Sequence, residues 1–149
     1  MSMSIIDHNV NIIALVKNKK NYGMCCAWAM QVSEDKLLCA IGPQSTTGQV
    51  LDVGDCVGFS NLRTDQVDIA MQLGDINKHS ADTDKLAGIS YHIDDGAILI
   101  DKAHAEIKCK VIDKFHLKGL ESENLFYLQI IRVHENGGKS LRMSDLEFN

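Results

Sequence analysis

A mostly β protein, its strands curled into a closed or nearly closed barrel, is the fold this 149-residue sequence predicts. Three observations carry it. Short apolar and β-branched runs recur with turn residues between them; the later runs alternate polar and apolar residues; and only two segments show helical spacing. A doubly wound sheet would need more helices, and a barrel disposes of the edges that so many strands would otherwise expose.

Residues 11–16 are rich in β-branched and apolar side chains and end in the polar cluster 17–21, as a strand and turn would. Residues 23–32 read as a second strand and 36–41 as a third, closed by Gly42 and Pro43, the only proline. In the loop that follows, Ser45 or Thr46 can cap a short helix carrying Val50, Leu51 and Val53. Residues 56–62 return to strand composition. Thr64, then Val67, Ala70, Met71 and Gly74, read as a capped amphipathic helix with a glycine stop. Strands are then expected over 97–100, 105–115 and 125–134. Within 105–111, Ala105, Ile107, Cys109 and Val111 alternate with Glu106, Lys108 and Lys110, which predicts one buried and one wet face.

Nothing marks a domain boundary, so residues 1–149 are expected to form one domain, able to bury roughly 70% of its unfolded surface. Hydrophobic residues make up 45% and charged residues 23%, the balance of a packed globular protein. The formal charge of −5 offers no basic field for a phosphate backbone, which argues against nucleic acid as a partner. A small phosphate-bearing ligand is still compatible, because a few converging donors suffice. Five cysteines without a C-x-x-C pair, no signal-peptide pattern and no apolar run of membrane-spanning length predict a soluble, cytoplasmic chain with free thiols and no membrane partner. The six histidines show no metal-ligand spacing and no serine-nucleophile motif is present, so neither a metal site nor a hydrolase is expected.

Several runs, taken in order, resemble one family: Cys26-Ala27-Trp28-Ala29-Met30-Gln31-Val32-Ser33; Leu38-Cys39-Ala40-Ile41-Gly42-Pro43-Gln44-Ser45-Thr46-Thr47; and Val57-Gly58-Phe59-Ser60-Asn61-Leu62. They are followed by His79 to Ile89, with its Asp84-Lys85 pair and Gly88, and by the strand that begins near Ala103. Over roughly residues 10–135 the chain is similar to the flavin reductase-like family of the FMN-binding split-barrel fold. The resemblance implies a six-stranded split β-barrel of Greek-key type with a few short helices. It further implies a homodimer and one FMN, or FAD, in a groove at the subunit interface, with NAD(P)H as co-substrate.

The same resemblance implies which residues would meet the cofactor. Ser45, Thr46 and Thr47 precede or open a helix, where hydroxyls and free N–H groups suit a phosphate or ribityl chain, although an ordinary N-cap uses them too. Lys85 falls where the family places a basic residue near the flavin phosphate, and Ser80 could add a hydroxyl. Trp28 could wall the cofactor or pack in the core. Met30, Gln31, Val32 and Ser33 would approach the ring edge mainly through backbone groups, and Asn61 would donate its amide or close a turn. Where many reductases of the family carry a histidine, just before the strand near Leu125, this chain has Glu123 and Asn124.

Three functions follow. One is an NAD(P)H-dependent flavin oxidoreductase. Another is a non-enzymatic FMN-binding electron carrier serving a partner redox protein, favoured by the Glu123-Asn124 departure. The third is a split barrel that has lost its cofactor, opposed by the presence of Ser45-Thr46-Thr47 and Lys85.

Overall fold

The computed structural model describes residues 5–74 and 84–146, so Ser80 lies outside the described residues. Nine strands join into one antiparallel sheet: β1 (Asn11–Lys17), β2 (Lys20–Cys26), β3 (Ala29–Ser33), β4 (Lys36–Ile41), β5 (Cys56–Asn61), β6 (Tyr91–Asp94), β7 (Ala97–Ile100), β8 (Ala105–Leu117) and β9 (Leu120–Glu135). Two short helices intervene, α1 (Thr46–Val50) and α2 (Val67–Leu73), with 3-10 turns at Thr64–Gln66 and Met143–Leu146. Among the described residues, no helix is long and apolar enough to cross a membrane.

Six strands, in the order β2-β1-β5-β8-β9-β4, curl around a core that includes Ile13, Leu37, Phe59, Val111, Phe126 and Leu128. The seam between β2 and β4 is bridged where Ala40 N–H donates to the Trp28 carbonyl at 2.8 Å. Through this seam the chain passes from β2 into β3, which pairs with β4 and forms an edge of the sheet. The single strand expected over 23–32 is thus two, broken at Ala27-Trp28 because its ends pair with different neighbours.

β1 is buried on both faces, which explains its continuous apolar run. Ile13 and Leu15 point into the barrel, whereas Ile12 and Ala14 join Leu62, Leu73, Leu86, Ile98 and Ile100 in a second core outside it. The hairpin of β6 and β7 closes that outer layer. It crosses β5 so tightly that a Cβ on Gly58 would lie 1.8 Å from the Ile98 carbonyl oxygen, and only glycine fits there.

Four further expectations need correction. β6 is an additional strand; its Asp95-Gly96 turn has both φ angles positive, the hairpin geometry that such a dipeptide favours. The face of β8 read as wet is covered by that hairpin: Glu106 and Lys108 are buried and only Lys110 is exposed. The first helix ends at Val50, with Leu51 extended and fully buried and Val53 exposed. The second begins in a 3-10 turn capped from Arg63, not Thr64, where the Gln66 side chain accepts from Arg63 N–H at 2.9 Å. Its glycine stop holds, since Gly74 N–H donates to the Ala70 carbonyl.

Candidate functional site

Strand register brings the ends of β1, β2, β5 and β8 to one mouth of the barrel: Asn11 lies opposite both Cys26 and Asn61, and Asn61 opposite Ala105. A groove of about 590 Å³ opens there, within the size range of cofactor pockets. Its apolar floor includes Leu37, Phe59, Ile107 and Ile130; its polar rim includes Asn11, Gln31 and Asn61. Met30, 59% exposed, overhangs it from the edge strand β3.

The rim amides are fixed by a chain of hydrogen bonds. Asn61 Nδ2 donates to Asn11 Oδ1 at 2.7 Å, Ser140 Oγ donates to Asn61 Oδ1 at 2.7 Å, and Asn9 Nδ2 donates to Ser140 Oγ at 2.7 Å. Asn11 Nδ2 donates in turn to the Cys26 carbonyl at 3.2 Å. With both acceptor oxygens occupied, each amide has a defined orientation before any ligand arrives, the preorganisation that a binding rim needs.

The structure therefore brings Met30, Gln31 and Asn61 together and places the other predicted residues elsewhere. Trp28 is 54% exposed and stacks at a tilt on His8, ring centroids 4.9 Å apart. Val32 and Ser33 continue along the exposed β3 edge, and Gln31 Nε2 donates to the Ser33 carbonyl at 2.9 Å, bracing the turn into β4. Ser45 is buried as the α1 N-cap: its Oγ accepts from Gly48 N–H and donates to Met24 Sδ, both at 3.2 Å. Thr47 is buried behind it and Thr46 is half-buried. These hydroxyls lie towards the opposite end of the barrel, where Lys17 Nζ donates to the Val50 carbonyl and Lys114 Nζ to that of Leu51.

Lys85 is buried outside the barrel, beside Cys25. Burial pushes the Cys25 thiol up to about 11, with the Lys85 ammonium pulling it the other way. Burial likewise raises Cys26 and Cys109 to about 12, and all five thiols are unpaired. Asn124 pairs with Ile41 far from the groove, and the Glu123 carbonyl oxygen lies 2.9 Å from Nδ1 of His116 on β8. Sequence reasoning missed Asn11, Phe59, Ile107 and Ile130; a polar Asn opening an otherwise apolar strand was the one available signal.

The model of the flavin reductase-like domain family matches residues 3–146. The fold is similar to the NADH:FAD oxidoreductase SgcE6 of Streptomyces globisporus, with a TM-score of 0.83 at 19% identity over 97% of this chain and 85% of that one. It is equally close to that protein in complex with NAD and FAD fragments, at TM-score 0.82 and 19% identity, with the same coverage of both chains. The styrene monooxygenase flavin reductase of Pseudomonas putida S12 matches with a TM-score of 0.79 at 14% identity, over 97% of this chain and 91% of that one. No curated protein matches the chain by sequence.

Proposed function

Because the chain belongs to the flavin reductase-like domain family, we propose that it binds a flavin, FMN or FAD, at the open mouth of the barrel and acts as an NAD(P)H-dependent flavin oxidoreductase. The observation that carries the reading is the groove: an apolar floor, an oriented amide rim and the unpaired edge of β3 meet in one place. This donor set fits a planar apolar ring with one polar edge. Leu37, Phe59 and Ile107 would exclude water, Asn61 and the backbone of β3 from Met30 to Ser33 would orient the ring edge, and Trp28 would flank it. When bound, a flavin supplies the redox chemistry, and no side-chain acid or base is obligatory.

Lys85 remains the proposed cation for the phosphate. Lys85→Ala is expected to weaken FMN binding by roughly tenfold to a hundredfold while leaving riboflavin binding unchanged, since a charge-assisted bond contributes about 1.5–3 kcal/mol. Equal losses for both ligands in a fluorescence titration would refute the assignment.

A homodimer is part of the same proposal. Met30 and Val133 at the groove, with Trp28 and Val32 around β3 and Ile131 on β9 outside its lining, form an exposed apolar set that a twin subunit would cover. An obligate interface would bury over about 2,000 Å² in total, and a monomer by sedimentation at micromolar concentration would overturn it. Five unpaired thiols suit a reducing compartment such as the cytoplasm.

The second reading, an electron carrier serving a partner redox protein, is favoured by Glu123 and Asn124 standing where a histidine is expected. NAD(P)H oxidation with added flavin separates the two readings. Saturable turnover supports the enzyme, and no turnover despite tight flavin binding supports the carrier.

A further inference from the structure

A second cleft, of about 520 Å³, opens between the β6–β7 hairpin and the outer face of β8. Three side chains from three elements converge in it: His92 on β6, Asp101 just after β7 and Glu106 on β8. Asp101 Oδ2 accepts from Ser90 Oγ at 2.6 Å, and its Oδ1 lies 2.7 Å from His92 Nδ1. A carboxylate only accepts, so Nδ1 carries the proton; in the neutral tautomer this leaves the lone pair on Nε2, the ring atom on the Glu106 side. Metal-ligating imidazoles are commonly oriented by a carboxylate in this way.

Nε2 faces Glu106 Oε1 at 3.6 Å, too long for a hydrogen bond. It is close to the roughly 3.4 Å that separates two donors held about 2.0–2.2 Å from one tetrahedral ion. The Glu106 side chain is only 5% exposed; its Oε2 is held by Asn136 Nδ2 at 2.5 Å, and no hydrogen bond is made to its Oε1 among the described residues. The donor atoms of His92, Asp101 and Glu106 all lie within 4.8 Å of one another. Of the cations lining the cleft, Lys108 Nζ binds Asp94 at 3.0 Å and Asp95 at 2.5 Å and Arg132 pairs with Asp94, while Lys102 stands beside Asp101. His134, the register partner of Glu106, lines the same cleft and can add a further imidazole.

We propose that this cleft binds one divalent transition-metal ion of the zinc class, ligated by His92 Nε2 and Glu106 Oε1, with Asp101 as the residue that positions His92. Imidazole and carboxylate donors together suit such ions. The ion ties β6, the turn after β7 and β8 together, and so stabilises the folded chain by mass action. No spacing motif announces the site, because strand pairing rather than sequence proximity assembles it.

The test uses chelator-treated full-length protein. Co²⁺ binding is followed by visible absorption and Zn²⁺ binding by calorimetry, for the wild type, H92Q, E106Q and D101N, with circular dichroism confirming each fold. The expected result is one ion per chain and a raised Tm, with affinity at least about tenfold weaker in H92Q and E106Q. D101N is expected to weaken binding roughly tenfold to a hundredfold, although its carboxylate is not a ligand. Absence of saturable binding by the wild type overturns the proposal and leaves a protonated His92 bridging two carboxylates. Binding unchanged in H92Q, or removed only by alkylating the cysteines, overturns it equally. If E106Q fails to fold, H92Q decides alone, since its side chain is half exposed.

Discussion

At one end of the barrel, Asn11 and Asn61 hold their amides at a mouth that stays open; at the other, α1 lies against the strands, and Ser45, Lys17 and Lys114 use their polar atoms to keep it there. Both ends carry residues that the family pattern associates with a cofactor. The difference teaches that a hydroxyl or amide identified by type is only potential chemistry: where it caps a helix it is committed to the fold, and where it rims a groove its remaining hydrogens can serve a ligand.

The largest expected effect tests whether the closed end is purely structural. Leu51 is fully buried in the barrel core, and Leu51→Ala is expected to cost about 2–5 kcal/mol in urea unfolding while leaving flavin affinity of the folded protein unchanged within about twofold. A folded variant that no longer binds flavin would erase the distinction between the ends.

A paired substitution sharpens the contrast. Asn61→Ala, at the open end, is expected to weaken flavin binding about tenfold, equivalent to about 1.4 kcal/mol, with a stability loss of about 1 kcal/mol. Ser45→Ala removes a buried cap and is expected to lower stability by about 1–2 kcal/mol with flavin affinity intact. Parallel flavin titrations and urea curves on both variants check this, and a reversed pattern would place the ligand at the α1 end.

The smallest effect lies in the turn beside the mouth. Hydrogen bonding from Gln129, then from Lys36, holds the exposed Asp35 carboxyl at about 2, below its ordinary 3.8. A depressed carboxylate stabilises the fold fully above its ordinary value, and that contribution is lost as pH falls through about 4 towards 2. Asp35→Asn should therefore be slightly less stable than the wild type at neutral pH, with the difference shrinking as pH falls from about 4 to 2; urea midpoints that differ equally at pH 7 and pH 2, or not at all, would show that the Asp35 carboxylate does not contribute.

The strands were legible where one face alone was buried or where apolar residues ran unbroken, as in β1, β4 and β5. They were not legible where tertiary pairing overrode the local pattern. Residues 23–32 look continuous because nothing local records that Cys26 pairs with β1 while Ala29 pairs with β4. Tyr91–Asp94 is too short and polar to declare itself, although the Asp95-Gly96 turn signals a hairpin. Missing β6 left Glu106 and Lys108 read as wet, since their partners His92 and Asp94 come from that strand. At the groove, Met30, Gln31 and Asn61 were legible through the family pattern, whereas Phe59, Ile107 and Ile130 look like ordinary core until register opens a mouth beside them.

β1 meets β2 on one edge, β5 and β7 on the other, and apolar layers on both faces. None of its central amides can reach solvent through fraying of a single neighbour, because each local opening leaves the opposite edge or face in place. Amide exchange at Ile12 to Leu15 should therefore proceed only through global unfolding and report the full free energy of the fold, whereas the β3 edge should exchange many orders of magnitude sooner. The strand that contributes Asn11 to the mouth is thus also the slowest clock in the molecule, so the rim keeps its shape on every timescale shorter than unfolding itself.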